Sequence, residues 1–321
     1  MEQLTLGEIR WRRLVVQVSL VAAAWTAVLL AAAVWWAGGS AWDILDSIGW
    51  ELWLAAVGLF ALNHLLRFLR WHWMLVEEGY AIPAAKSLSI FLAGLALLPT
   101  PGKAGVAVRS LLLLREGVPV NVSLAAYFAE RLFDLLGLVV LASLLLGGGA
   151  ERRWIAALCG GLAVIVAVRL APRLCRSLIR RRRGGERFQR AMAWALQFLE
   201  HAAELVAGRL FLPYLVLGAA ANAATGVLLW LALSRFGVTV AVEQATGMVA
   251  LSHLSGSLSL LPGGLGGFEL AMLNQLSALG ASVGSSFSIL ALVRFATIWG
   301  SVAVGLPLLL VLMRKSGIGD S

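Results

Sequence analysis

Charged residues are scarce in this sequence, and their scarcity excludes a water-soluble globular fold. Only 13% of the 321 residues are Asp, Glu, Lys or Arg, whereas 60% are hydrophobic and the mean hydropathy is +0.87. A soluble domain carries about 25% charged residues, so too few are present here to cover a surface that faces water. The composition therefore predicts a protein that lies in a lipid bilayer.

Cysteine and histidine are also rare, which argues against a disulfide framework and against a metal centre. The two cysteines, Cys159 and Cys175, lie in an apolar segment and in a basic segment. Four histidines are scattered along the chain, at His64, His72, His201 and His253. No two of them have the spacing of a helical metal-binding pair, and none forms a convincing nucleophile–base pair. We predict no metal, no cofactor and no enzymatic activity.

Acidic residues are outnumbered, so the net charge is +9, but its distribution argues against a nucleic-acid partner. Eight of the 26 basic residues lie within 173–190, between apolar segments and without an aromatic platform for bases. This pattern is typical of a cytoplasmic loop that contacts anionic headgroups. Together with the basic residues before the first apolar segment, it predicts that both termini are cytoplasmic.

The apolar segments predict an all-α polytopic membrane protein with about six full spans and two re-entrant hairpins, or eight segments by simple counting. A crossing needs about 20 residues, and the predicted spans are 14–37, 50–75, 120–146, 154–171, 211–236 and 285–313. The amphipathic segment 186–208 predicts a helix in the inner membrane interface. At the end of the second span, Arg67, Arg70, Trp71, His72 and Trp73 are expected to be interface anchors.

Only eight prolines are present, so two Pro/Gly interruptions inside apolar stretches are informative. They read LPTPGKAGVAVR at 98–109 and LPGGLGGFEL at 261–270, and apolar arms too short to cross the membrane flank each of them. They predict two hairpin tips, formed by Pro99, Pro101, Gly102 and Gly105 and by Pro262, Gly263, Gly264, Gly266 and Gly267. Unpaired N–H groups at such tips favour anions such as phosphate.

The interruptions belong to two internal repeats, at about 50–146 and 211–313. Gly117, Arg131 and Gly137 match Gly280, Arg294 and Gly300 at an offset of 163 residues, and Asn63 matches Asn222 at an offset of 159. The charge pattern opens the first hairpin toward the inside and the second toward the outside, so the repeats are predicted to be inverted. Inverted repeats around broken helices are a transporter architecture, with the site near the membrane midplane.

Charged residues inside the predicted spans are candidates for that site. Those expected to bind substrate are Lys103, Arg109, Glu130, Arg131, Asp134, Glu269 and Arg294. Arg131 and Asp134 are an i,i+3 pair, and Glu130 has three partners open to it, which are Lys103, Arg109 and Arg294. Glu269 is expected to pair with an arginine of the opposite repeat. Ions at this depth normally pair or face a cavity, so both a structural salt-bridge network and a substrate site remain open.

The motifs LPTPGKAG, AERLFDLL and LPGGLGGFE, with the late helix that carries Arg294, resemble the lysylphosphatidylglycerol synthase transmembrane family from about Leu14 to Met313. The resemblance implies a flippase-like domain of the bacterial inner membrane that translocates a lipid. The family usually has an acidic residue after PGKxG, where this sequence has Val106. The sequence ends eight residues after Met313, so we expect that it does not itself synthesise an aminoacyl lipid.

These observations predict a single flippase-like domain over 1–313, with a basic cytoplasmic loop and interfacial helix at 172–208 and a tail at 314–321. The predicted function is to move a polar-headgroup lipid between leaflets, with membrane phospholipids as partners. One alternative is a non-transporting, lipid-binding partner of a lipid or envelope biosynthesis enzyme. A weaker one is an intramembrane lipid-modifying enzyme that uses Glu130 or Glu269 as acid or base. The sequence is compatible with a homodimer.

Overall fold

The computed structural model describes residues 46–98, 104–143, 150–181, 186–259 and 261–315, which form eleven α-helices and no strand. The helices are α1 Trp50–Glu77, α2 Ala84–Leu95, α3 Ala104–Leu114, α4 Val120–Ala142, α5 Ala150–Arg181, α6 Glu186–Ala207, α7 Phe211–Arg235, α8 Val242–Leu258, α9 Gly267–Ala278, α10 Val283–Arg294 and α11 Gly300–Lys315. The predicted all-α class is confirmed. The first predicted span, 14–37, lies outside the described residues.

Three helical stretches of the described part are long and apolar enough to cross a membrane: α1, α7 and the continuous stretch Val283–Met313. The last consists of α10 and α11, which a π-helical turn at Phe295–Trp299 joins. The 23 residues of α4 span about 35 Å at about 1.5 Å per residue, although this helix carries three charges near its middle. The total of six spans stays a prediction.

The first helices of the two repeats, α1 and α7, pack against each other in opposite directions. Asn63 in the middle of α1 donates to the carbonyl oxygen of Ala221 at 2.5 Å, and at the end of α1 the Tyr214 hydroxyl donates to Glu77 at 2.6 Å. Residues late in α1 therefore meet residues early in α7. Because equivalent helices are antiparallel, the repeats are inverted relative to each other, as predicted.

Each repeat contacts the other through equivalent elements, as a twofold relation requires. α2 packs against α11, and its counterpart α8 packs against α4. A Cβ atom on Gly137 would lie 3.2 Å from the backbone nitrogen of Ala219, and one on the matched Gly300 would lie 3.0 Å from Cε2 of Phe60. Phe60 and Ala219 are themselves equivalent, at the offset of 159 residues that relates the two first helices. The two repeats thus make the same close contact in both directions.

The arms of the second motif, α8 and α9, form the predicted hairpin. The side-chain amide of Gln275 donates to Ser252 Oγ at 3.0 Å and to the carbonyl of Met248 at 3.3 Å. A Cβ atom on Gly267 would lie 2.6 Å from the carbonyl oxygen of Ser255, so the arms approach more closely there than a side chain allows. α2 and α3 also pack together. The tip of the first hairpin lies outside the described residues, with Pro99, Pro101, Gly102 and Lys103.

Both hairpins end in the same turn. Gly117 follows α3 with φ 82°, and the matched Gly280 follows α9 with φ 76°. Their N–H groups donate to the carbonyls of Leu114 at 3.1 Å and Ser277 at 2.9 Å. Glycine adopts this left-handed conformation without strain and commonly ends helices for that reason. The match in sequence therefore reflects the same backbone requirement in each repeat.

The predicted basic loop begins later than expected, because α5 continues through Pro172 to Arg181. The first four arginines of the basic run are therefore helical. A proline removes one backbone donor, and α5, which packs against α6, continues past it. The amphipathic helix predicted at 186–208 is present as α6, and its position in the membrane interface stays a prediction.

Candidate functional site

Six charged side chains from α1, α3 and α4 form one contiguous group, here called the arginine network: Arg67, Arg70, Arg109, Glu130, Arg131 and Asp134. Four of them were predicted as site residues. Arg67 and Arg70 were not, and they come from the first helix of the repeat.

Asp134 is the centre of the network, because three arginines bind its carboxylate. Arg67 and Arg131 approach Oδ2 at 2.5 and 3.1 Å, and Arg70 approaches Oδ1 at 2.6 Å. The predicted i,i+3 pair of Arg131 with Asp134 is therefore present. Two arginines of α1 share the same acid, so Asp134 holds α4 against α1.

Glu130 is almost completely buried and binds two arginines. Both terminal nitrogens of Arg109 donate to Oε2 at 3.2 Å, and Arg131 donates to Oε1 at 2.7 Å. Of the three partners open to Glu130 from sequence, Arg109 binds it and Arg294 binds Glu269 instead, whereas Lys103 lies outside the described residues. The Arg109 guanidinium also lies 4.5 Å from the ring centroid of Trp71 and 4.9 Å from that of Phe91. Aromatic faces attract a cation at such distances.

The expectation that Arg67, Arg70 and Trp71 are interface anchors is wrong, and Trp71 is buried beside Arg109. Arg70 is fully buried, and the Arg67 side chain is only 17% exposed. Both point toward Asp134, because an ion at membrane depth is stable only when paired. The sequence contains a signal for this arrangement: Asn63, Arg67 and Arg70 have the i, i+4, i+7 spacing of one helix face.

In the second repeat, Glu269 binds Arg294 of the same repeat, so its predicted pairing with the opposite repeat is wrong. Nε and Nη2 of Arg294 lie 2.7 and 2.6 Å from Oε1 of Glu269. The physical reason is local. α9 begins directly after the hairpin tip and packs against α10, which brings the acid in its first turn to the arginine at the end of α10.

Arg294 also holds the second hairpin tip, which includes the short turn Pro262–Gly264. Its Nη1 and Nη2 donate to the carbonyls of Gly263 and Gly264 at 3.5 and 3.3 Å, and its guanidinium lies 4.0 Å from the ring centroid of Phe268. The tip exposes backbone carbonyls because consecutive glycines have φ values of 64° and 68°. The predicted tip residue Gly266 precedes α9 with φ 79°, and Gly105 lies in the first turn of α3.

The two repeats differ in electrostatics although they share a fold. Position 106, which matches Glu269 at the offset of 163 residues, is a valine. The second repeat therefore has a neutral pair, whereas the arginine network has four guanidinium groups and two carboxylates. The Arg131 side chain is 34% exposed. The arrangement can bind an anion that reaches it past Arg131.

A separate group of titratable residues lies where α1 ends and α6 passes. Nδ1 of His201 lies 2.6 Å from Oε2 of Glu78, and with Glu204 their donor atoms lie within 4.8 Å of one another. Burial raises the pKa of the Glu78 carboxyl, and His201 opposes that shift. Sequence spacing does not reveal this group, because 123 residues separate Glu78 from His201. We interpret it as a polar contact that holds α6 against α1.

Nearly the whole chain matches a known family. Residues 14–305 match the model of the lysylphosphatidylglycerol synthase TM region, and no curated protein matches the sequence significantly. The match and the long apolar helices make this a multi-pass membrane protein, of a kind related to lipid synthesis or flipping. The resemblance in its motifs is confirmed, and the chain belongs to the family of the lysylphosphatidylglycerol synthase transmembrane region.

Proposed function

We propose that the protein is a flippase-like transporter that moves a polar-headgroup lipid between the leaflets of the bacterial inner membrane, with both termini in the cytoplasm. One observation carries the proposal: a buried, net positive arginine network lies where the two inverted repeats meet. Charged side chains inside a membrane protein typically mark a substrate pathway. The proposal assigns no chemical reaction to the protein.

The arrangement of the repeats supports a transport cycle. The hairpin arms α2 and α8 each pack against the last span of the opposite repeat. A rocking motion of one repeat against the other would then open the contact on one side and close it on the other. This is how inverted repeats give alternating access to a fixed site.

The accessibility of the arginine network supports binding of a headgroup. Arg131 is partly exposed, whereas Glu130 and Arg109 behind it are buried. A headgroup would bind Arg131 first while the acyl chains stay in the bilayer. Arg294 and Glu269 would act at the second hairpin, where Arg294 binds the backbone of the tip.

Leaflet exchange in liposomes tests the proposal. The purified protein is reconstituted with acyl-labelled phospholipids, and exchange is compared for wild type, Arg131→Ala, Arg294→Ala and empty vesicles. Loss of a charge-assisted hydrogen bond costs about 1.5–3 kcal/mol, so we expect Arg131→Ala to slow exchange about tenfold or more. The matched control is Lys86→Ala, which removes an exposed pair with Glu116.

The alternatives give different results in the same assay. Exchange no faster than in empty vesicles would exclude transport and favour a lipid-binding partner of a biosynthesis enzyme. A chemical change in the lipid would favour an intramembrane enzyme. Both candidate acid–base residues of such an enzyme, Glu130 and Glu269, are bound by arginines in the structure.

A further inference from the structure

We infer that the arginine network recognises a phosphate monoester, so that the transported lipid has a headgroup ending in a terminal phosphate. The inference rests on the proposed function and specifies its substrate class. It follows from the charge of the network, from the hydrogen-bond donors that the protein leaves unpaired, and from the shape of the guanidinium group.

The acidic side chains that bind the network within the described residues do not balance its charge. Four guanidinium groups face two carboxylates, which leaves a net charge of +2 among the described residues of the network. The other polar groups that bind Arg67 are the neutral amides of Asn63 and Asn222. An uncompensated charge at membrane depth is strongly unfavourable, and two such charges here call for a ligand with about two negative charges.

Hydrogen-bond donors are also left without partners. Nε and Nη1 of Arg70 and Nε of Arg131 are buried and have no hydrogen-bond partner among the described residues. Buried polar atoms are nearly always paired, so these donors indicate a missing acceptor. A phosphate offers several acceptor oxygens in the geometry that guanidinium groups bind bidentately.

Charge distinguishes between classes of lipid. A phosphate monoester carries roughly −1.5 to −2 at pH 7, with a second pKa of about 6. A phosphodiester headgroup carries one negative charge and would neutralise only half of the net positive charge of the network. An aminoacylated headgroup also carries ammonium groups, which four arginines repel. The expected order of preference is therefore monoester, then diester, then a cationic aminoacyl lipid.

Access to the network fits a headgroup that enters from one side. The Arg131 side chain is 34% exposed and that of Arg67 is 17% exposed, whereas Arg70 is fully buried. The phosphate would meet Arg131 and Arg67 first, and small shifts would then bring the unpaired donors of Arg70 to its oxygens. Arg131 is therefore the residue to replace, because its substitution leaves the buried arginines of the network unchanged.

The test compares lipids in one assay. Phosphatidylcholine vesicles contain the protein and a trace of acyl-labelled phosphatidic acid, phosphatidylglycerol or lysylphosphatidylglycerol. We expect exchange of phosphatidic acid to be about tenfold faster than that of phosphatidylglycerol, as one lost charge-assisted contact implies. The exchange rate of phosphatidic acid should fall severalfold between about pH 7.5 and about pH 5, because the monoester takes up a proton and loses one negative charge. Empty vesicles at each pH correct for spontaneous exchange.

Variants and a soluble probe complete the experiment. Arg131→Lys keeps the charge but loses bidentate binding, so it should reduce the preference for phosphatidic acid, and thermal unfolding shows whether it is folded. Equal exchange of all three lipids would overturn the monoester inference while leaving the transporter intact. If none of the three lipids exchanges faster than in empty vesicles, both the monoester inference and the proposed transport function are overturned. Entry of radiolabelled inorganic phosphate without lipid exchange would assign the site to free phosphate and overturn the lipid substrate.

Discussion

Asn63 and Asn222 occupy equivalent positions in the two inverted repeats and bind the same guanidinium group. Arg67 donates from Nε to Asn63 Oδ1 and from Nη2 to Asn222 Oδ1, both at 3.0 Å. The axis that relates the repeats therefore passes close to a single cation, for which the second repeat has no counterpart. Because Arg67 also binds Asp134, one side chain connects α1, α7 and α4.

Replacement of Arg67 should destabilise the contact between the repeats. Arg67→Ala leaves the side-chain oxygens of Asn63 and Asn222 without this donor, and each unsatisfied buried polar group costs about 1–3 kcal/mol. Thermal unfolding in detergent should show a clearly lower Tm. Lys86→Ala breaks an exposed pair worth about 0–1 kcal/mol and is the control. Equal Tm values for the two variants would contradict a connecting role of Arg67.

The matched glycines of the two repeats should respond in the same way to substitution. Gly137→Val and Gly300→Val insert side chains into contacts of 3.2 and 3.0 Å with the opposite repeat, and such overpacking costs about 1–3 kcal/mol. Gly161→Val is the control, because a Cβ atom there meets nothing within 4 Å. We expect both core variants to unfold at lower temperature than the control. A lower unfolding temperature for only one of these two variants would argue against the twofold relation.

The repeat architecture could be predicted because it depends on residue identity. Gly137 and Gly300 match since both must let another helix approach, and Gly117 and Gly280 match since both end a helix with positive φ. Because each backbone requirement is the same in both repeats, the same residue type recurs at a fixed offset. Antiparallel packing of α1 and α7 then agrees with the inversion deduced from the distribution of charge.

The composition of the site could be predicted only in part, because side-chain direction is set by tertiary contacts. Arg67 and Arg70 lie near the end of an apolar helix among aromatic residues, which is also the pattern of an interface anchor. The position of Asp134 on the neighbouring helix α4 turns both side chains inward. The predicted partner of Glu269 lies in the wrong repeat for the same reason, since the alignment of the repeats shows which residues are equivalent but not which are close in space.

The second hairpin tip should loosen when Arg294 is removed. Arg294→Ala deletes two hydrogen bonds to tip carbonyls and the ion pair with Glu269. Local opening then becomes easier, so hydrogen–deuterium exchange of peptides covering 261–266 should accelerate about tenfold. Arg209→Ala, at a side chain that is 89% exposed, is the control. Unchanged exchange in the tip would show that Arg294 does not hold it.

Glu78 should make stability depend on pH. Burial raises the pKa of its carboxyl above the ordinary value of 4.5, so the folded state binds this proton more tightly than the unfolded state. The associated stability is complete below about pH 4.5 and is lost as pH rises through the raised value. The Glu78→Gln variant cannot lose this proton. Its free energy of unfolding relative to that of the wild type should therefore increase from about pH 4 to about pH 7.

Denaturant unfolding across that pH range measures the effect of Glu78→Gln. Glu200→Gln is the control for removing one carboxylate from the same surface, because Glu200 is on α6 with His201 and its side chain is 40% exposed. A difference between Glu78→Gln and wild type that stays constant with pH would contradict the burial effect. A difference that declines with pH would show that the contact with His201 outweighs burial in setting the pKa of Glu78.

Val106→Glu should change the charge of the arginine network and with it the transport of anionic lipids. Position 106 matches Glu269 and Arg131 matches Arg294 at the same offset, so the new carboxylate should compete with Glu130 and Asp134 for Arg131. The net charge of the network would fall from +2 to about +1, and exchange of an anionic phospholipid should slow. Val106→Gln has nearly the same size without the charge. A similar loss of exchange in both variants would assign the effect to packing, whereas a loss confined to Val106→Glu would assign it to charge.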